Sequence, residues 1–174
     1  MKESLRCSLT LSLICFLAAG LLALVNFFTI SKIMAQETLK EESSLKEVLP
    51  EGISFEPMKL NNETVYYKAV DKNIKLVGIA FKAVIQGYSG TITTLVGMNT
   101  KNKITAIKIL NHSETPGLGS QINEPNFTGR FIDRSVSEMS DIQAITGATI
   151  SSKAVIDSVK NKASEITELL KNAK

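Results

Sequence analysis

The sequence contains no tryptophan, one histidine and two cysteines, and only 6% of its residues are aromatic. Few aromatic side chains and no dense basic block argue against a nucleic-acid-binding surface, although the formal net charge is +3. Cys7 and Cys15 both fall in or beside the apolar N-terminal segment. The rest of the chain therefore has neither a disulfide nor a cysteine-ligated metal site, and a lone His112 argues against a zinc site.

An uncharged, apolar run covers residues 8–30. At about 1.5 Å of rise per residue, a helix of this length crosses about 30 Å of hydrocarbon. A cleavable signal peptide has a shorter apolar core of roughly 7–15 residues and a small-residue cleavage site, for which the residues after Ile30 offer no convincing match. The sequence therefore predicts one transmembrane helix that is retained as an anchor.

Charged residues on the two sides of this span predict its orientation. Lys2 and Arg6 precede it, whereas Lys32 and then a glutamate-rich stretch follow it. Because the cytoplasmic flank of a span is enriched in basic residues, we expect residues 1–7 in the cytoplasm. The domain that follows is then expected on the extracytoplasmic side of the cell inner or plasma membrane.

The remainder of the chain divides into a lead-in at residues 31–57 and one domain at residues 58–174. The lead-in contains a polar stretch at 36–48 that predicts a short helix, ended near Pro50 and Gly52. A chain of 174 residues, less its apolar segment, is long enough for one hydrophobic core.

Hydrophobic patterning in the domain predicts an α+β fold with an antiparallel sheet and a C-terminal helix. Four runs rich in β-branched and aromatic residues indicate a meander of strands, at 64–70, 74–85, 90–97 and 104–110. A long loop is expected over 111–148, and a helix with an apolar stripe over 152–170. The helix is expected to cover one face of the sheet.

The segment Thr-Gly-Ala-Thr-Ile-Ser-Ser at residues 146–152 directly precedes the predicted helix. Small residues let a ligand approach the backbone, and the free amides at a helix N-terminus favour a phosphate. Ser151 and Ser152 are predicted to cap the helix. From these residues alone, simple helix capping is the stronger interpretation and phosphate binding the weaker.

A second distinctive segment, Asn-His-Ser-Glu-Thr-Pro-Gly-Leu-Gly at residues 111–119, follows the fourth predicted strand. Its plainest interpretation is a tight turn built from proline and glycine. A hydrolase that uses Ser113 or Ser151 with His112 is an alternative supported only by residue types, because catalytic triads are assembled by the fold and not by adjacency in sequence.

The two segments together, behind an N-terminal anchor, resemble the RnfG/NqrC family of FMN-binding proteins. RnfG proteins belong to Rnf ion-translocating electron-transport complexes, and NqrC proteins belong to sodium-pumping NADH:quinone reductases. The similarity covers essentially the whole chain and is greater to the shorter Rnf type. It implies an electron-carrying subunit of a membrane-bound ferredoxin:NAD oxidoreductase, with other membrane subunits as partners.

The resemblance further implies FMN attached covalently to Thr149 through a phosphoester, by a flavin transferase that uses FAD and magnesium. Thr149 is then a tether, and neither an acid, a base nor a nucleophile toward substrate. The loop from His112 to Gly119 is expected to shape the pocket around the flavin. The residues implied to contact the cofactor are His112, Glu114, Thr115, Pro116, Gly117, Leu118, Gly119, Thr146, Gly147, Ala148, Ile150, Ser151 and Ser152.

The chain departs from the family pattern at one position near the attachment motif. The transferase motif usually has aspartate three residues before the Ser/Thr-Gly-Ala-Thr stretch, where this chain has Gln143. The nearest carboxylate upstream is that of Asp141. This departure leaves a second interpretation open, a membrane-tethered assembly or structural subunit without a cofactor.

Overall fold

The computed structural model describes residues 2–60 and 63–172, which form parts of two compact units, Met1–Glu41 and Glu42–Lys174. The outer limits of the predicted segments, Met1 and Lys174, lie outside the described residues. A single long helix, α1, spans Lys2–Val48.

In the first unit, Arg6–Ile30 is an apolar stretch with a mean hydropathy of 2.4, long enough to cross a membrane. The span predicted at residues 8–30 lies within it. The polar helix predicted over 36–48 is not a separate element, because α1 continues through it without interruption. Its predicted end is confirmed, since the helix stops at Val48 just before Pro50.

The second unit contains a five-stranded antiparallel meander with neighbours in chain order. Its strands are β1 (Ser54–Leu60), β2 (Glu63–Val70), β3 (Leu76–Gln86), β4 (Thr91–Asn99) and β5 (Ile104–Asn111). The predicted meander is confirmed, but the prediction of four strands is wrong because β1 is added at one edge. Pro57 lies within β1, which among the described residues pairs with β2 alone and so tolerates a missing amide.

One face of the sheet is covered by the C-terminal helix α3, Thr149–Asn172, which contacts β3 and β4. The predicted apolar stripe of α3 is confirmed, and its innermost members Val155, Val159, Ala163 and Ile166 are fully buried. The helix begins three residues earlier than predicted. The α+β fold with a closing C-terminal helix is therefore confirmed.

The opposite face of the sheet is partly covered by the end of α1. Leu45, Val48 and Leu49 are buried against a second apolar cluster on the sheet. The hydroxyl of Thr105 in β5 donates a 2.5 Å hydrogen bond to the carbonyl of Val48, which satisfies a backbone acceptor that a helix C-terminus leaves open. The compact unit thus starts earlier than the predicted boundary at residue 58, and this end of the predicted lead-in is part of it.

The segment predicted as a long loop at 111–148 contains several short helical turns. Three are 3₁₀ helices, at Gly119–Asn123, Gly129–Phe131 and Val136–Asp141, and one is a short α helix, α2, at Pro125–Thr128. Ile122, Phe127, Phe131 and Met139 from these turns are buried in the core that α3 covers. The prediction of an irregular loop is therefore wrong. The sequence did not indicate these turns, because each is anchored by single apolar residues that produce no longer hydrophobic period.

Candidate functional site

A cavity of about 380 Å³ opens where the β3–β4 turn, the chain after β5 and the start of α3 meet. This volume lies within the range of small-molecule sites in proteins. The residues that line it are Tyr88, Glu114, Thr115, Leu118, Gly119, Gly147, Ala148, Thr149, Ile150 and Ser151. The two segments singled out in the sequence therefore meet at one place.

The β3–β4 turn contributes an aromatic wall. The amide of Gly87 donates to the carbonyl of Gly90 at 2.8 Å and closes the turn. Tyr88 lies between these glycines, lines the cavity and is 68% exposed. The hydroxyl of Ser89 lies 3.3 Å from that of Thr115, which ties the turn to the chain after β5.

The chain after β5 folds into a turn that is fixed by its own backbone. The amides of Leu118 and Ser120 both donate to the carbonyl of Thr115 at 3.2 Å. Gly117 has a φ of 75°, in the left-handed region where a side chain is strained, and its amide donates to the hydroxyl of Ser120 at 2.9 Å. Pro116 and Gly117 thus shape the turn and do not line the cavity.

Glu114 is the one ionisable carboxyl side chain among the residues that line the cavity, and it is buried. Its Oε1 accepts from the amide of Ser89 at 3.1 Å, and its Oε2 accepts from the hydroxyl of Ser151 at 2.5 Å. Burial acts to raise the pKa of Glu114, but the Ser151 hydroxyl and the backbone amides of residues 88–90 outweigh it, so this pKa lies below its ordinary value. The cavity therefore holds a carboxylate that is charged at neutral pH.

The start of α3 places Thr149 at the wall of the cavity. Gly147 has a φ of 84°, which only glycine adopts easily, and turns the chain into the helix. The hydroxyl of Ser152 accepts from the amide of Ile145 at 3.0 Å and donates to the carbonyl of Ala148 at 2.8 Å. Thr149 itself is exposed.

Backbone amides at this helix start are available to an anion. The amide of Ser152 donates to the carbonyl of Ala148 at 3.0 Å and forms the first bond of the helical ladder. Within residues 2–60 and 63–172, no acceptor takes the amides of Thr149, Ile150 and Ser151. Three such amides and the positive end of the helix dipole suit a phosphate. The predicted capping role of Ser151 and Ser152 is wrong, since both lie inside the first turn of α3.

Not every residue predicted at the site lines the cavity. Five do not, namely His112, Pro116, Gly117, Thr146 and Ser152. His112 instead accepts a hydrogen bond on Nδ1 from the amide of Glu114 at 3.3 Å. In the described part of the chain no hydrogen bond joins His112 to Ser113 or Ser151, so the nucleophile–base pair that a hydrolase requires is not formed.

Tyr88 is the lining residue that sequence reasoning missed. The signal that could have found it is an aromatic side chain between the two glycines of a tight turn, where a core position is not available. Tyr88, Leu118 and Ile150 are each more than half exposed and give the cavity an apolar rim.

The sequence matches two family models. The one described as "FMN-binding domain" matches residues 87–164, from the turn that carries Tyr88 to the middle of α3, and the one described as "RnfG N-terminal region" matches residues 1–48. The chain is 35% identical to the G subunit of the ion-translocating oxidoreductase complex of Methanosarcina acetivorans, over 91% of this chain and 92% of that protein. The chain belongs to the RnfG family.

Further members of the RnfG family show similar coverage. The G subunit of the proton-translocating ferredoxin:NAD(+) oxidoreductase complex of Clostridium ljungdahlii is 31% identical over 90% of this chain and 88% of its own length. Among solved structures, NqrC of Shewanella oneidensis has a TM-score of 0.49 and 16% identity, covering 65% of this chain and 66% of that one.

The cavity of this RnfG family member fits FMN. Its apolar rim of Tyr88, Leu118 and Ile150 suits a planar aromatic ring system. The unpaired amides at the start of α3 suit the phosphate. As a member of this family with an FMN-binding domain, the chain is an electron-transport subunit of an ion-translocating oxidoreductase, and its apolar N-terminal helix indicates membrane anchoring.

Proposed function

We propose that this protein carries electrons through an FMN that is attached covalently to Thr149 by a phosphoester. The observation that carries the proposal is the position of Thr149, an exposed hydroxyl residue in the cavity wall within the first turn of α3. A phosphate esterified there is next to the unpaired amides of the same helix turn. When bound, FMN supplies reversible electron transfer, and the protein supplies its attachment, burial and electrostatic surroundings.

The proposed role of Thr149 is to retain the cofactor. Thr149 makes no hydrogen bond to the buried carboxylate, which instead contacts Ser151, so the described residues give Thr149 no base to activate it. Its proposed role is therefore to hold the cofactor through every redox cycle and not to act on a substrate. Attachment requires a separate flavin transferase, with FAD as flavin donor and magnesium as cofactor.

The proposed complex is a membrane-bound ferredoxin:NAD oxidoreductase of the Rnf type, the activity named for the relative from Clostridium ljungdahlii. Its other membrane subunits are the proposed redox partners. We propose that residues 1–7 lie in the cytoplasm and the FMN-binding domain on the extracytoplasmic side, and basic Lys2 and Arg6 ahead of the span support this orientation. Protease added to intact spheroplasts is expected to remove the domain. Full protection of the domain from the protease would indicate the opposite orientation.

The decisive experiment is the mass of the full chain, denatured after expression with its flavin transferase. We expect an increase of one FMN less one water, located by peptide mapping on Thr149. Thr149→Ala is expected to abolish the increase while the domain stays folded. Thr100→Ala is the matched control, because Thr100 is also exposed but lies in the turn between β4 and β5, outside the cavity and the attachment motif, and it is expected to retain the flavin.

Gln143 gives weight to one alternative, a tethered assembly subunit without cofactor. An unmodified chain from a host whose transferase modifies another substrate would favour this alternative. Flavin that stays with denatured Thr149→Ala would instead refute Thr149 as the attachment point.

A further inference from the structure

Glu114 joins the three chain segments that build the cavity. Its carboxylate accepts from the amide of Ser89 in the β3–β4 turn and from the hydroxyl of Ser151 in α3, while its own backbone lies after β5. These contacts link residues that are 25 and 37 positions apart in the sequence. No other side chain that lines the cavity has hydrogen bonds to both neighbouring segments among the described residues.

The chain is packed closely around this carboxylate. A methyl group added at Gly119 would lie 2.7 Å from Oε2 of Glu114 and 2.8 Å from its Cβ. A methyl group at Gly87 would likewise collide with Oε1. The two glycines therefore leave the space that the carboxylate fills, and its position is fixed by packing as well as by hydrogen bonds.

The charge of Glu114 is solvated by dipoles and not neutralised by a cation. Within the described residues no lysine or arginine forms an ion pair with it, and its partners are a hydroxyl and backbone amides. A fixed negative charge in a poorly solvated site acts strongly on any charge that develops nearby. Adding an electron to a group in the same cavity is thereby made less favourable.

We propose that Glu114 is a positioning residue that holds the first turn of α3, and with it Thr149, against the β3–β4 turn, and that its charge lowers the redox potential of the flavin. The proposed effect on redox potential rests on the proposed covalent FMN, whereas the proposed positioning of the first turn of α3 does not. Glu114 acts on the attachment point through Ser151, which is two residues beyond Thr149.

The charge is tested by a spectroscopic redox titration of the flavin-loaded full chain in detergent. Glu114→Gln keeps the size of the side chain and removes its charge, so the midpoint potential is expected to move to a more positive value. Glu138→Gln is the matched control, because Glu138 also accepts from a serine hydroxyl and a backbone amide, at Ser135, but is exposed and outside the cavity. A loaded Glu114→Gln protein with the wild-type potential overturns the proposal.

The positioning role of Glu114 is tested by amide hydrogen exchange on the flavin-free full chain, prepared in a host without the transferase. We expect exchange at residues 88–90 and at the hydrogen-bonded amides of residues 152–154 in α3 to become roughly tenfold faster in Glu114→Gln, the factor for one lost hydrogen bond to a charged group, and to stay unchanged in Glu138→Gln. Unchanged exchange in Glu114→Gln overturns the proposal.

Because the hydrogen-exchange measurement needs no flavin, it tests the positioning role of Glu114 separately from the proposed attachment of FMN at Thr149. A chain that never carries FMN but shows the faster exchange refutes attachment at Thr149 and keeps the role of Glu114 in positioning. Loss of covalent flavin from Glu114→Gln, with faster exchange and normal loading of Glu138→Gln, supports positioning directly.

Discussion

The hydroxyl of Ser151, in the first turn of α3, donates a 2.5 Å hydrogen bond to Oε2 of Glu114, in the turn that follows β5. This contact joins the first turn of α3 to the chain that follows the sheet. It also helps to explain why this buried carboxylate, which has no cationic partner among the described residues, remains ionised, since hydrogen bonds to the charged form offset its burial.

The stability of the domain is expected to depend on pH through Glu114. The pKa of Glu114 is lowered in the folded chain, so its ionised form stabilises the fold above the unfolded pKa, and that contribution is lost as pH falls through the folded value. Glu114→Gln is therefore expected to lower the free energy of unfolding by about 2 kcal/mol at neutral pH. The difference from wild type should shrink in acid, below the ordinary range of carboxyl pKa values.

Denaturant unfolding of the full chain in detergent at neutral and acidic pH measures this difference. Glu124→Gln makes the same chemical change at an exposed position outside the cavity and is expected to leave stability unchanged. A difference between Glu114→Gln and wild type that is constant with pH would contradict the assignment of the stabilising charge to Glu114.

Two buried or half-buried threonines are expected to respond to the same substitution in opposite directions. The hydroxyl of Thr94 is buried and has no hydrogen-bond partner among the described residues, so Thr94→Val removes an unsatisfied group and is expected to raise stability by about 1 kcal/mol. Thr105→Val leaves the carbonyl of Val48 without its donor and is expected to lower stability by about 1–2 kcal/mol. Thermal unfolding measures both effects, because a change of 1 kcal/mol shifts the melting temperature by roughly 2–8 °C. Melting temperatures that shift in the same direction in the two variants would contradict these predictions.

Much of the fold could be predicted because its long elements have clear hydrophobic periods. The apolar span, strands β2 to β5 and the stripe of α3 all repeat a pattern over many residues. The edge strand β1 was missed because Pro57 suggests a break, and its tolerance of proline depends on having only one neighbour. The start of α3 at Thr149 was missed because β-branched Thr149 and Ile150 have modest helix propensity, so the prediction began at the serines.

The site could be predicted only in part, for a related reason. Both segments of the cavity were recognised from composition, but which side chains face the cavity depends on the turn geometry. Gly117, with its φ of 75°, shapes the turn while Leu118 and Gly119 line the cavity. Tyr88 comes from a third segment that only the sheet brings near, so no local pattern linked it to Thr149.

Gly119 and Gly129 offer a comparison of crowded and open positions. Gly119→Ala places a methyl group 2.7 Å from Oε2 of Glu114, so we expect a loss of about 1–3 kcal/mol in stability and less flavin attachment. Gly129 has helical backbone angles and nothing within 4 Å of an added methyl group, so Gly129→Ala is expected to be neutral or to stabilise by about 0.5 kcal/mol. Thermal unfolding together with the flavin-to-protein absorbance ratio measures both effects. Equal losses in the two variants would show that crowding at Glu114 is not the cause.

Gln143 lies three residues before Thr146 and is held through its backbone. The guanidinium of Arg130 donates to the carbonyl of Gln143 at 2.6 Å and to that of Asn126 at 2.9 Å, and lies 5.8 Å from the ring centroid of Phe127. The side chain of Gln143 is exposed, so a substitution there changes the surface that a transferase meets and not the packing of the domain.

Gln143→Asp is therefore expected to increase the rate of flavin attachment, at an unchanged melting temperature, because it restores the carboxylate usual in the transferase motif. The measurement is a time course of covalent flavin incorporation with purified transferase, FAD and magnesium. Gln143→Asn has the size of aspartate without its charge and is expected to react at the wild-type rate. If Gln143→Asp and Gln143→Asn gain equally, side-chain length and not charge limits recognition; if neither gains, the transferase does not use this position in this chain.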